Sequence, residues 1–182
     1  MATKLRTGLE PDLKTAEAHY PVVLEALLKY TSWCDEHGDE ELHAYRQLED
    51  ALHQLTGKDL SLYNLGEWWE EEGAEVLAFR ISLPDPLPAR DITKAELTEI
   101  VTRLKDPAAY RQEQTNFSSL FSLYLDEYYH VLLKLNFNSY RRQLFQRNKD
   151  RDGRWFEYTT EEIIKQLWAD HLPPSDTDQP VN

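Results

Sequence analysis

The chain has 182 residues, 41% of them hydrophobic and 29% charged, with a formal net charge of −13. Five Trp, ten Tyr and six Phe supply enough apolar surface to outweigh ordering entropy, which excludes global disorder. No apolar run approaches the roughly 18 residues that span a bilayer, and the length suits one domain with a core of its own.

Read in chain order, the first element is a helix over 21–36. Pro21 suits a first helical position, Val23, Leu24, Leu27, Leu28 and Tyr30 form an apolar stripe, and Gly38 stops it. A second helix is expected over 40–56, capped by Asp39, with Leu42, Tyr45, Leu48, Leu52 and Leu55 at three- and four-residue steps before Gly57. Leu60 to Glu72 reads as a short helical segment carrying Trp68-Trp69, although Gly66 weakens it.

The period then changes to two. Leu77, Phe79, Ile81 and Leu83 predict a strand over 75–83, ended by Pro84, Pro86 and Pro88. Thr93 and Glu96 form a capping box for a helix over 93–105, and residues 107–127 fit a buried helix better than a buried strand. Apolar residues at the odd positions Tyr129 to Phe137 predict a strand over 128–137. Further strands are expected over 140–147 and 154–159, the latter two joined by an Asp152-Gly153 turn. A second capping box, Thr159 with Glu162, opens a helix over 160–171. The fold class is therefore α+β: N-terminal helices packed with a small, mostly antiparallel meander and a C-terminal helix, in one domain over 1–172. Residues 173–182 are expected to form a loose polar tail.

The N-terminal residues Met1 to Arg6 contain no apolar secretory stretch, and Cys34 is the single cysteine, so a reducing, cytoplasmic setting is expected, with Cys34 a buried structural thiol. There is no Gly-x-Ser-x-Gly and no glycine-rich phosphate loop. Two Glu-x-x-His steps, Glu40 with His43 and Glu127 with His130, have the spacing of carboxylate-histidine metal sites in helix bundles. The first pair lies opposite the apolar stripe of its helix, and the second falls on opposite faces of a strand, so no metal centre is expected. Asn148, Asp150, Asp152 and Gly153 imitate the start of a calcium loop, but Thr159 stands where the closing glutamate belongs.

Charge is the strongest functional signal. Residues 33–75 hold thirteen acidic side chains against two basic ones. Within them, Gly66-Glu67-Trp68-Trp69-Glu70-Glu71-Glu72-Gly73 sets two adjacent Trp among four carboxylates. Two neighbouring Trp cannot both face one core, so at least one is expected to be partly exposed as an anchor for a basic partner. The competing arrangement packs one ring on each side of the segment. The basic counterpart is Arg141, Arg142, Arg147, Lys149, Arg151 and Arg154, interleaved with Tyr140, Phe145, Trp155 and Phe156. Such mixtures stack on single-stranded nucleic acid, but a half-buried strand alternates in the same way and the overall charge repels a polyanion, so nucleic acid is not the expected partner. The sequence favours a non-enzymatic protein without cofactor or metal. It binds a basic partner protein through Glu67, Trp68, Trp69, Glu70, Glu71 and Glu72, a profile that inhibitors and immunity proteins share by composition. The alternative is a metal-dependent enzyme built on Glu40, His43, Glu127 and His130.

Overall fold

A computed structural model describes residues 5–68, 73–89, 91–107 and 116–169. The architecture is α+β: among the described residues there are seven α-helices, the last of them C-terminal, and one small antiparallel sheet. Within the span read as one domain, the chain groups into two compact units. One comprises Pro11–Asp85 and Gln114–Tyr124, the other Met1–Glu10, Pro86–Glu113 and Leu125–Asn182. The charge divides with them. The first unit carries seventeen acidic and five basic side chains, a formal −12, and the second carries sixteen and fifteen, a formal −1.

In the acidic unit, α1 (Leu13–His37) begins eight residues before the expected start, because Asp12 caps it by accepting from Thr15 N at 3.0 Å. Pro21 thus lies inside the helix, where its ring removes one backbone donor without ending it. Helix α2 (His43–Thr56) starts three residues later than expected, and α3 (Ala74–Ser82) replaces the strand expected over 75–83. Val76 and Ala78 are buried like Leu77 and Phe79, and only Glu75 is exposed and Arg80 half-buried, so the segment has too few polar positions to mark a helical period. Helices α1 and α3 pack on each other, and Val23, Leu27, Leu48, Leu52, Leu60, Leu65, Leu77, Ala78 and Ile81 form the core. Helix α5 (Phe117–Phe121) continues into a 3₁₀ turn over Ser122–Tyr124, in line with the helical expectation for the described part of 107–127. It stacks Phe121 on Phe79 at 4.4 Å between centroids, with Tyr20 5.2 Å from Phe121.

The second unit is built on α4 (Lys94–Lys105), α6 (Asp126–Asn136) and α7 (Thr160–Trp168), with α4 packed against both others. Both expected capping boxes are present. Helix α6 takes the place of the strand expected over 128–137. Of its odd positions Val131 is only half-buried and Leu135 is exposed, whereas Tyr129, Leu132 and Leu133 share the buried helical face. Residues 140–147 hold a 3₁₀ turn, Arg142–Phe145, rather than a strand, so the described residues contain a two-stranded hairpin and no meander. Strands β1 (Asn148–Lys149) and β2 (Trp155–Phe156) pair with Asn148 opposite Phe156 and Lys149 opposite Trp155. The N-terminal segment is held by Arg103, which donates to both Glu10 oxygens at 2.8 and 2.9 Å and to Glu99 at 3.1 Å. The expected tail over 173–182 lies outside the described residues.

His130, buried in α6, bonds the Tyr140 hydroxyl at 3.0 Å and meets Phe145 edge to face. Burial first, and then the positive Arg142, hold its pKa below the ordinary 6.5, against the opposing pull of Glu127 and Asp126. The unfolded chain takes up this proton more readily than the native one, so stability falls as pH drops below the unfolded value. Thermal unfolding followed from about pH 7 to about pH 5 should show the wild type losing stability more steeply than His130→Gln. Parallel profiles would contradict a neutral buried imidazole.

Candidate functional site

The acidic unit contains an open cleft of about 330 Å³ where the end of α1, the turn into α2 and the segment after α2 converge. Its walls come from Tyr30, Thr31, Cys34 and Asp35 on α1, and from Asp39, Leu42 and Tyr45 across the turn. Asn64, Gly66 and Glu67 close the third side. Cys34 is half-buried here, more open than the structural thiol expected.

Asp39 organises this corner. Its carboxylate accepts from Ala44 N at 3.2 Å, Tyr45 N at 2.8 Å and the Tyr30 hydroxyl at 3.3 Å. It is therefore a cap, as expected, but one that acts from beyond an intervening turn: Leu42 N bonds Asp39 O at 2.9 Å, and α2 begins only at His43. Partial burial works against the charged form, but the N–H groups of Tyr45, Ala44 and His43 outweigh it and hold the Asp39 pKa below the ordinary carboxylate value. The turn forces Leu42 to φ 56°, ψ 31°, the left-handed region that costs an L-residue about 1 kcal/mol. Leu42, expected in the core stripe of α2, instead stands on the cleft's edge with 49% of its surface exposed. Trp33, 41% exposed, stacks on His37 along the same end of α1.

The rings of Tyr30 and Tyr45 meet edge to face at 5.9 Å. The Tyr45 hydroxyl donates to Tyr63 O and accepts from Leu65 N, both at 3.3 Å, which ties α2 to the segment after it. Burial, then the neighbouring Cys34 and Asp39, push the Tyr30 pKa well above the ordinary value, so its hydroxyl stays a donor. Asn64 accepts from Gly66 N at 3.3 Å and Glu67 N at 3.1 Å, and donates to the Glu67 carboxylate at 3.2 Å. The cleft thus presents three carboxylates, Asp35, Asp39 and Glu67, beside two aromatic rings.

Comparison with protein-family models, with curated proteins and with solved structures finds no match to this chain. The site therefore rests on geometry alone. Of the residues expected to bind a partner, Glu67 lines the cleft. Trp68 is half-buried, packs against the core and donates its indole N–H to Thr31 Oγ1 at 3.0 Å, behind the cleft wall. Trp69, Glu70, Glu71 and Glu72 lie outside the described residues. Sequence reading missed Tyr30, Leu42 and Tyr45 as wall residues because all three fit apolar helical stripes.

The alternative centres do not assemble among the described residues. No group of three or more His, Cys, Asp or Glu side chains is placed to hold a metal ion. Helix α6 does return Glu127 and His130 to helical spacing, but Glu127 pairs with Arg142 at 2.7 Å while His130 faces Tyr140. In the hairpin, Asp150 accepts from Asp152 N and Arg154 N at 2.9 and 2.8 Å and Gly153 takes φ 78°, so the calcium-like residues form a turn closed by its own backbone.

Urea denaturation separates the two kinds of wall. Trp68→Ala should cost about 3 kcal/mol, since it deletes core packing and the indole hydrogen bond to Thr31 Oγ1. Leu42→Gly should leave stability unchanged or slightly higher, since glycine accepts the left-handed backbone without strain. Equal stability of Trp68→Ala and wild type would contradict this assignment.

Proposed function

We propose that this chain is a non-enzymatic binding protein of the cytoplasm whose acidic unit holds a basic partner protein, in the manner of an inhibitor or immunity protein. One Lys or Arg side chain of the partner occupies the cleft. The observation that carries the reading is the partition of charge: almost the whole formal deficit resides in the unit that contains the cleft. A −12 field concentrated on one unit steers a basic protein towards it and raises the association rate at low salt.

The cleft supplies what the field alone lacks. Asp35 and Glu67 offer acceptors to a guanidinium or ammonium group, and the rings of Tyr30 and Tyr45 offer faces for cation–π contact. Leu42 and Trp33 add exposed apolar surface beside the charges, the composition that distinguishes an anchoring site from a merely solvated acidic face. No helix of the described residues is long and apolar enough to cross a membrane, and the single cysteine suits a reducing compartment.

Isothermal titration of the full chain with an arginine-rich peptide and with a basic test protein examines this reading. Binding should weaken with added salt, and the pair Asp35→Asn and Glu67→Gln should reduce affinity about tenfold without shifting the unfolding midpoint. Absence of binding at low salt would overturn the reading, as would affinity indifferent to both substitutions.

A further inference from the structure

Two considerations weigh against nucleic acid at the level of sequence: the aromatic residues of the basic hairpin are expected to face a core, and the net charge of the chain repels a polyanion. Both change in the folded chain. Strand β2 buries neither of its residues: Trp155 is 55% exposed and Phe156 is 37% exposed. The repelling charge also belongs mostly to the other unit, since the unit that carries the hairpin has a formal charge of only −1.

The cations of the hairpin are arranged around the exposed indole. Lys149 stands opposite Trp155 in the pairing register, with its Nζ 4.6 Å from the ring centroid, and the Arg147 guanidinium carbon lies 5.2 Å from it. Arg147, the residue before β1, and Lys149 within it thus both lie over the Trp155 ring. On the other face Phe156 meets Tyr158 edge to face at 5.2 Å. Arg151 and Arg154 are exposed at the turn. The nearby acids are partly engaged: Asp150 accepts two backbone N–H groups of the turn, and Glu157 pairs with Lys105 at 3.4 Å. Asp152 is exposed and subtracts one charge. Asn148 pins the hairpin's base by donating to the carbonyls of Gln143 and Gln146 at 2.9 and 2.7 Å.

We infer that this hairpin is a binding site for single-stranded nucleic acid, with Trp155 as the platform for an unpaired base and Arg147, Lys149, Arg151 and Arg154 meeting the flanking phosphates. A projecting ring stacks only on a base whose face is free, which selects single strands over duplexes, and stacking with phosphate pairing is the sequence-tolerant mode of such recognition. The ring keeps 55% of its surface exposed beside the two cations. The inference stands apart from the acidic cleft, on a different unit and on opposite charge.

Fluorescence anisotropy with labelled oligo(dT) and oligo(U) of roughly 12 nucleotides, at about 50 mM salt, tests it on the full chain. Both should bind, and affinity should fall with salt. Trp155→Ala should weaken binding about tenfold, Trp155→Phe should recover most of the loss, and both should keep the wild-type melting temperature. Arg147→Gln with Lys149→Gln should flatten the salt dependence. Failure of the wild type to bind either oligonucleotide would overturn the inference. So would equal affinity for a duplex of the same length, for heparin or for polyglutamate together with indifference to Trp155→Ala, since that pattern belongs to a cationic face alone.

Discussion

The acidic unit turns on the carboxylate of Asp39. By accepting from Ala44 N, Tyr45 N and the Tyr30 hydroxyl at once, it joins the end of α1 to the first turn of α2. Three consequences follow from that geometry. The two tyrosine rings are brought edge to face, the turn is tightened until Leu42 enters the left-handed region, and the Leu42 side chain is turned out to the edge of the cleft. An Asn in place of Asp39 keeps the acceptor but not the charge, whereas an Ala leaves the first N–H groups of α2 without their side-chain partner. The cleft is thus a by-product of how one helix is capped. A local backbone requirement has produced a concave surface with carboxylates on it.

The second constraint is the self-repulsion of a unit with seventeen acids and five bases. Its core answers it with apolar burial. The long helix α1 and the mostly buried α3 bring Val23, Leu27, Leu77, Ala78 and Ile81 together with the leucines of α2, and Phe79 stacks on Phe121. Among the described residues a buried cation, Lys58, pairs with Asp85 at 2.8 Å and donates to the Tyr63 hydroxyl at 3.3 Å. The exposed pair Lys29 with Glu25 contributes little, because solvent screens it. Retaining such a field against its energetic cost is consistent with a surface selected for encounter rather than for stability.

Much of the helical content was legible, and the reasons for the misreadings are specific. The capping boxes at Thr93 and Thr159 are present, because that motif satisfies orphan backbone donors wherever it occurs. The α+β class, the Asp152-Gly153 turn and the helical 116–124 segment also stand. The strands expected over 75–83 and 128–137 failed for related reasons. In α3 the buried Val76 and Ala78 left only Glu75 and Arg80 to mark a polar face, and in α6 the apolar odd positions mixed buried residues with the exposed Leu135. Periodicity reports which face meets water, so it is weak when nearly every residue is buried. The site was legible only in part. Composition located the acid and Glu67, while Tyr30, Leu42 and Tyr45 fell into apolar stripes that carry no mark of a cleft.

The two surfaces give the chain opposite chemistries on separate units: a carboxylate cleft with aromatic walls, and a cationic hairpin with an exposed indole. The central claim is that the first is a site and not a diffuse acidic face. Backbone amide NMR of the full chain, titrated with a blocked arginine derivative and then with an arginine-rich peptide, tests it most directly. Shifts concentrated at Tyr30, Leu42, Tyr45, Gly66 and Glu67, and abolished by Asp35→Asn with Glu67→Gln, are the predicted result. Shifts spread evenly over the exposed acids of the unit, or none at the cleft, would contradict the account.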